Sequence, residues 1–119
     1  MLVVNATGRD HPRRAGLALH LGAVLGLPTV GVTTWPLVAQ GAWPADQRAA
    51  TARLLLGGEV VGCWVRTRPG AKPMAVHAAW QTDAKDAVQV VLAATRRART
   101  PEPLRRARTL ARTRRAHTR

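Results

Sequence analysis

The residues best suited to chemistry in this sequence lie close together near its start. The segment that follows Val4 reads Asn-Ala-Thr-Gly-Arg-Asp-His-Pro-Arg-Arg-Ala-Gly, with His11 before a proline and Arg13 next to Arg14. Arginine grips phosphate with a planar fork of donors. A histidine at a helix start either contacts a phosphate or base or serves as a cap or solvent-facing residue. These residue types favour contact with a phosphate-bearing ligand. Alternatively, the two arginines lie on the solvent-exposed face of a helix and contact no ligand.

The overall charge indicates the same class of partner. The chain has 119 residues, with 19 Lys and Arg against 6 Asp and Glu, giving a formal charge of +13. Such a field attracts nucleic acid first and anionic membrane second. Residues 96–119 hold 10 arginines against Glu102 alone, a net of +9. We therefore divide the chain into a domain at 1–95 and an Arg-rich basic tail at 96–119, which stays solvated until a partner neutralises it.

Further cationic and aromatic residues add candidates for this contact. A Pro-Gly turn is flanked by Arg66, Arg68 and Lys72. These cations either contact phosphate or only keep the surface soluble, and the sequence favours neither role. Four tryptophans could stack on bases; they are Trp35, Trp43, Trp64 and Trp80. Trp64 alternates with apolar neighbours, so we expect it in the core.

Several other classes of function are disfavoured. A single cysteine, Cys63, rules out an internal disulfide and a Cys-cluster zinc site; we expect a buried, inert thiol in a reducing cytoplasm. His20, His77 and His117 lack acidic neighbours at ligand spacing, so we predict no metal site. The start of the sequence lacks a secretory signal, and no run approaches the roughly 20 apolar residues of a membrane span. We expect a cytoplasmic protein without a membrane partner.

The first 33 residues predict a strand, a helix and a second strand. Leu2–Val4 is a short β-prone run, and Thr29–Val32 is another. Between them the leucines and valines of 17–25 repeat at helical spacing, with Pro12 in the first turn and a stop at Gly26. A helical connection of this length favours parallel strands.

The following residues predict a mixed arrangement. We expect a loop at 36–44, a short helix from Pro44 to Leu56 on the strength of its Ala, Arg and Leu content, and an antiparallel hairpin with strands at 60–66 and 74–77. Thr82-Asp83 is a plausible N-cap for a helix reaching about Arg97, with Asp83 and Asp86 at its N-terminus.

Five segments in collinear order resemble endonuclease V, a family that nicks DNA near deoxyinosine and in some members cuts inosine-containing RNA. The segments are residues 4–16, 27–32, 58–62, 66–73 and 101–105. The first is similar to the family pattern Val-Asp-Gly-x-Gly-x-x-His-Pro-Arg-Arg-x-Gly. The resemblance implies a partial RNase H-like α/β fold, in which the strand-helix-strand unit is joined by the hairpin and flanking helices.

The chain departs from the family where catalysis takes place. The family holds Mg²⁺ with clustered carboxylates, and a hard cation needs such oxygen ligands. By resemblance, Asn5 stands for the signature aspartate, Thr34 for a catalytic lysine and Trp80 for a histidine, while two further carboxylates of the family lie upstream of Met1. The sequence therefore predicts no catalytic residues and no bound magnesium.

The binding side of the family is retained. By resemblance, the positions that line a pocket for a flipped-out hypoxanthine base are Gly8, His11, Gly16 and Gly31. Glycine would let the backbone approach a base or phosphate closely.

Three hypotheses follow. The first is a truncated endonuclease V-like protein that binds DNA or RNA, with inosine-containing strands among its ligands, without cutting it. The second is an active nuclease whose missing half lies upstream or in a partner chain. The third is a small basic RNA- or DNA-binding module. Because the family's sheet begins with strands that this sequence lacks, we also expect unpaired strand edges, marginal stability and possible self-association.

Overall fold

The computed structural model describes residues 1–95, which form a five-stranded sheet of order β1-β2-β5-β4-β3 with two helices. The elements, in chain order, are β1 (Leu2–Val4), α1 (Leu17–Leu25), β2 (Thr29–Thr33), β3 (Thr51–Leu56), β4 (Glu59–Val65), β5 (Met74–Ala78) and α2 (Ala84–Ala94). The α/β class expected from the sequence is confirmed. The predicted tail, including His117, lies outside the described residues.

The β1-α1-β2 unit is confirmed as a parallel pair joined by a helix, with Leu2 opposite Thr29. The helix begins at Leu17, so the predicted start near Pro12 is wrong. Arg14 has φ 60°, in the left-handed region, and a regular helix cannot pass through such a residue. Gly26, with φ 67°, ends the helix where the sequence predicts.

The predicted helix from Pro44 to Leu56 is also wrong, because Thr51–Leu56 forms β3. The turn between β3 and β4 consists of Gly57 and Gly58, with φ 59° and 79°, the backbone that two-residue hairpin turns require. Burial also alternates along β3, and Leu54 is fully buried. Pairing with β4 and burial of Leu54 thus override the helix propensity of the segment. The predicted hairpin is confirmed as β4 and β5, which are antiparallel.

The core lies on both faces of the sheet. On one face, the valines of β2, β4 and β5 pack against Ala87 and Val91 of α2. Thr29 of β2 points to the other face, where its hydroxyl donates to the Ala18 carbonyl of α1 at 2.8 Å. That second face also holds the cluster around Leu54 and Trp64, which confirms the expected burial of Trp64. The two helices therefore cover opposite faces.

The ends of α2 are fixed by two devices. The predicted N-cap is confirmed at Asp83, which also forms a reciprocal capping box with Asp86. At the other end Arg48, from a distant loop, donates to the carbonyls of Leu92 and Thr95 at 3.2 and 3.0 Å. The helix ends at Ala94, and Arg97 lies outside the described residues.

Apolar surface remains exposed beside β1. This strand pairs only with β2 within residues 1–95, so its other edge is unpaired there. On neighbouring α1, Leu17 is 65% exposed and Val24 77%. No helix among the described residues is long and apolar enough to cross a membrane.

Candidate nucleic-acid interface

The segment that begins at Asn5 and ends at Gly16 lies flat on the sheet; we call it the signature loop. The fit is close at two glycines. A Cβ on Gly8 would lie 2.0 Å from the Ala78 carbonyl oxygen, and a Cβ on Gly31 would lie 2.2 Å from the Ala6 carbonyl oxygen. The Arg9 amide donates to the Ala78 carbonyl at 3.0 Å. Both glycines are therefore required for the loop to lie against β2 and β5.

Gly16 closes the signature loop at the start of α1. Its amide donates to the Gly8 carbonyl at 2.7 Å, and a Cβ there would lie 2.4 Å from the Thr7 carbonyl oxygen. The Thr7 carbonyl also accepts the Ala18 amide at 3.0 Å. Gly8, Gly16 and Gly31 thus all have a packing role, and a role in binding a base stays a prediction for each of them.

The charged residues of the signature loop divide between structural contacts and solvent. Arg14 donates to the Glu59 carboxylate and, at 3.3 Å, to the Leu56 carbonyl, so it ties the loop to the β3-β4 turn. Arg13 is exposed, and its amide donates to Nδ1 of the half-buried His11 at 3.0 Å. Nε2 of His11 accepts or donates no hydrogen bond within residues 1–95. His11 and Arg13 therefore keep groups available to a ligand, while Arg14 is engaged.

Asp10 holds the signature loop against the segment that follows β2. It is fully buried, and its carboxylate accepts the amides of Leu37, Val38 and Ala39 at 2.6, 2.8 and 2.7 Å. Three hydrogen bonds from backbone amides satisfy a charge that would otherwise be costly to bury. No local sequence pattern predicts this link, because the partners of Asp10 lie 27 to 29 residues away.

His77 lies buried beside this carboxylate. Its Nδ1 is 3.8 Å from Asp10 Oδ2, and its Nε2 is 2.7 Å from Thr33 Oγ1. The Thr33 hydroxyl donates its one proton to the Trp35 carbonyl at 2.7 Å, so it accepts a hydrogen bond from Nε2 of His77. In the neutral ring Nδ1 is then unprotonated, and it has no hydrogen-bond partner among the described residues. Burial lowers the pKa of His77 from 6.5 to about 4, against the opposing effect of Asp10. His77 is a neutral structural residue, whereas His20 is exposed.

The three positions to which the resemblance assigns catalytic residues do not lie together. Asn5 and Thr34 are exposed and follow the parallel strands β1 and β2, so both lie at the carboxyl edge of this pair. Trp80 lies at the other end of β2, where its carbonyl accepts the Thr29 amide at 3.0 Å. The four residue steps from Thr29 to Thr33 span about 13 Å along the strand. The structure thus brings Asn5 and Thr34 together and leaves Trp80 apart.

The hairpin cations share the edge of Asn5 and Thr34. β4 runs antiparallel to β5, which runs antiparallel to β2, so β4 ends at the same edge as β2. Arg66 follows β4 directly and donates to the carbonyls of Ala71 and Pro44 at 2.6 and 3.4 Å. Arg68 and Lys72 are exposed in the same turn. This carboxyl edge therefore carries Arg66, Arg68 and Lys72, whose contacts with phosphate stay predictions.

Cys63 differs from its expected environment. It is half-buried, rather than buried, beside a groove of about 350 Å³ between α2 and strands β3 and β4. Partial burial raises the pKa of its thiol, with a smaller opposing effect from Arg53. The thiolate is the nucleophilic form, so this shift agrees with the expected low reactivity.

The carboxyl edge lacks the donor set of a metal site within residues 1–95. No group of three or more His, Cys, Asp and Glu side chains within residues 1–95 lies in an arrangement that could hold a metal ion. At the end of β1, Asn5 presents a neutral amide oxygen in place of a carboxylate. The donors in the described part of the chain do not fit the Mg²⁺ that a carboxylate site would hold.

The sheet order, the parallel β1-α1-β2 unit and the helices on both faces define an RNase H-like α/β protein. The structure of endonuclease V from Streptomyces avermitilis superimposes with a TM-score of 0.88 at 40% identity, over 98% of this chain and 52% of that one. Endonuclease V from Ciona intestinalis, solved with DNA containing an inosine followed by a ribo-adenosine, shares the fold with a TM-score of 0.77 at 23% identity, over 99% of this chain and 54% of that one.

Sequence comparison gives the family. The model for endonuclease V matches residues 1–109. Endonuclease V of Nocardia farcinica is 47% identical over 109 residues, which cover 90% of this chain and 47% of the relative. The chain belongs to the endonuclease V family, as the collinear motifs predict, and it spans about half the length of the curated relatives it matches. The family match crosses the domain boundary placed at residue 95, which stays a prediction.

Proposed function

We propose that this chain binds DNA or RNA, with inosine-containing strands among its ligands, and does not hydrolyse a phosphodiester by itself. The observation that carries the proposal is the composition of the carboxyl edge. The neutral residues Asn5 and Thr34 stand there beside a cationic hairpin turn. Such an edge attracts phosphate and lacks the carboxylates that would activate water through a divalent cation.

Affinity comes from exposed cationic side chains. Within residues 1–95, Arg14 and Arg48 are engaged by protein acceptors, whereas Arg13 is exposed on the signature loop. The hairpin turn adds Arg68 and Lys72, and the tail adds ten arginines. Each phosphate that these residues neutralise releases counterions, so we expect binding to weaken steeply with salt.

A preference for inosine would arise at His11. The glycines of the signature loop are covered by protein carbonyls, whereas the His11 ring keeps Nε2 open. The structure of the Ciona intestinalis relative contains inosine-bearing DNA, which supports inosine as the base to test. The cytoplasm is the compartment we propose, because the single cysteine suits a reducing environment.

The test combines binding with cleavage. Purified chain is titrated with two labelled single strands that differ by one inosine for adenosine, and each complex is then incubated with Mg²⁺. We expect binding of both strands, tighter binding of the inosine strand, loss of that preference in His11→Ala, and no cleavage above buffer. Metal-dependent cleavage by the chain alone would overturn the proposal. Equal affinity for both strands would favour the basic binding module.

A second candidate is an active nuclease assembled from two segments. Within residues 1–95 the outer edge of β1 is unpaired and Leu17 and Val24 of α1 are exposed, which favours this candidate because a second segment could pair and pack there. The chain is mixed with the half of the Nocardia farcinica relative that it does not match, as wild type and as Asn5→Asp. Cleavage by the wild-type mixture would support this candidate. Cleavage by the Asn5→Asp mixture and not by the wild-type mixture would show that Asn5 prevents catalysis, and would support our proposal.

A further inference from the structure

Three tryptophans form a cluster at the carboxyl edge of the sheet. Trp64 is 3% exposed, while Trp35 and Trp43 beside it are 62% and 46% exposed. Each exposed ring has its centroid 6.2 Å from that of Trp64, at interplanar angles of 82° and 74°. Both rings thus stand edge-to-face against one buried ring, an arrangement favoured between aromatic groups. We call Trp35, Trp43 and Trp64 the tryptophan platform.

The platform is positioned by a hydrogen bond of the Trp64 ring, a hydrogen bond to the Trp35 backbone and a cation–π contact at Trp43, with both outer rings packed against Trp64. Trp64 donates its indole N–H to the Gly41 carbonyl at 2.9 Å, and the Trp35 carbonyl accepts the Thr33 hydroxyl at 2.7 Å. Over Trp43 lies the guanidinium of Arg66, 5.2 Å from the ring centroid. Rings that are already fixed lose little freedom when a ligand stacks on them.

The position and charge of the platform indicate what stacks there. Trp35 follows β2 at the edge that carries Asn5 and Thr34, and Arg66 joins Trp43 to the cationic hairpin turn. Aromatic faces interleaved with cations are typical of surfaces that bind single-stranded nucleic acid, where rings stack on bases and cations follow the phosphates. The chain's charge of +13 complements such a ligand and disfavours a basic or neutral protein partner.

We propose that Trp35 and Trp43 stack unpaired bases of a single-stranded DNA or RNA. The inference rests on the proposed nucleic-acid binding. It adds that the bound nucleic acid is single-stranded and that two tryptophans contact its bases. Bases in a duplex are stacked on each other and hide their faces, so the platform selects single strands, loops and flipped bases. Because every base has an aromatic face, the contact tolerates sequence, and it is separate from recognition of inosine at His11.

The test uses two fluorescein-labelled strands of equal length and phosphate number, one with bases and one abasic throughout. We expect wild type to bind the strand with bases about a hundredfold more tightly in fluorescence anisotropy, because each of the two stacks contributes about tenfold. Trp35→Leu and Trp43→Leu each lower affinity for that strand about tenfold and leave the salt dependence unchanged, because no phosphate contact is lost. Trp35→Phe and Trp43→Phe retain most of the affinity, since a ring remains.

A control variant and a fold measurement make the result specific. Leu37→Ala removes an exposed apolar side chain near the platform without removing a ring, so its affinity should equal that of wild type. Circular dichroism and thermal unfolding of each variant show that the fold is retained. A variant that unfolds is replaced by its Phe counterpart, in which stacking is tested against the abasic strand.

The outcomes separate this inference from the function on which it rests. Wild type that binds neither strand overturns nucleic-acid binding, and the platform's role with it. Wild type that binds both strands equally, or Leu variants with unchanged affinity, overturns the platform alone. Self-association that Trp35→Leu abolishes while affinity for the strand stays unchanged would likewise overturn it and make the platform a protein interface.

Discussion

Acidification should destabilise this protein through His77. The ring is fully buried, and burial lowers its pKa from 6.5 to about 4. In the unfolded chain the same ring takes up a proton near pH 6.5. Between these two values the unfolded state binds more protons than the folded state, so stability falls as the pH falls from 6.5 to about 4 and changes no further through this group below that.

The size of the effect follows from the shift. One pKa unit corresponds to about 1.4 kcal/mol, so the loss across this range is about 3 kcal/mol, a large part of a small domain's stability. Two opposing influences set the shift. Removal from water disfavours the charged ring, while the Asp10 carboxylate, with Oδ2 3.8 Å from Nδ1, favours it. Burial prevails here because three backbone amides already satisfy the Asp10 carboxylate.

The assay is urea unfolding followed by tryptophan fluorescence, repeated from pH 7.5 to pH 4 on wild type and His77→Gln. Glutamine does not titrate and still donates to Thr33, so the variant should lose the His77 contribution and show a pH dependence flatter by about 3 kcal/mol. Other groups titrate equally in both proteins and cancel in the comparison. An NMR titration of the His77 ring with a midpoint above 6.5 would refute the reasoning, because it would show that attraction to Asp10 exceeds the cost of burial.

Three further predictions concern the loop that carries the motif and the tail. Asp10→Asn replaces an acceptor of three amides by a group with one acceptor oxygen, so unfolding free energy measured in urea should fall by about 2 kcal/mol, and an unchanged midpoint would contradict the role of Asp10. Gly31→Ala should lower the melting temperature more than Gly58→Ala, because its Cβ would meet the Ala6 carbonyl. Gly58 lies in open space at φ 79°, so its alanine variant bears only backbone strain of about 1 kcal/mol. Equal shifts in melting temperature would show that the signature loop can move away from β2. A chain ending at Thr95 loses a net charge of +9, so it should lose most of its affinity for duplex DNA and about 0.9 log units of salt slope for each phosphate contact removed, while retaining any inosine preference. An unchanged salt slope would instead assign the phosphate contacts to Arg13 and the hairpin turn.

The parts of the fold that the sequence predicts are those with local signals. The helical repeat at 17–25, the Pro-Gly turn at 69–70 and the cap at Asp83 each depend on residues only a few positions apart, and each prediction is confirmed. β3 was missed because Leu54-Leu55-Leu56 suits a helix in isolation. Pairing with β4 and the two-glycine turn at 57–58 make this segment a strand.

The candidate site was less predictable because its contacts are distant in sequence. Arg14 reaches Glu59, 45 residues away, and Asp10 reaches the amides that follow β2. No local pattern reveals either partner. The motif identified the loop that matters, and only the fold shows that Arg14 and Asp10 hold it in place while His11 and Arg13 remain open to a ligand.

Packing also explains which family features this chain keeps. Gly8, Gly16 and Gly31 each lie where a Cβ would strike a carbonyl oxygen within 2.4 Å, so the fold requires them whether or not a base binds. Asn5 and Thr34 are exposed at the carboxyl edge, so the packing of the core does not fix the residue types at these positions. A retained motif is therefore weak support for a retained pocket. Packing alone does not require the exposed rings of Trp35 and Trp43 or the cations around them, and the proposed nucleic-acid binding is best tested there.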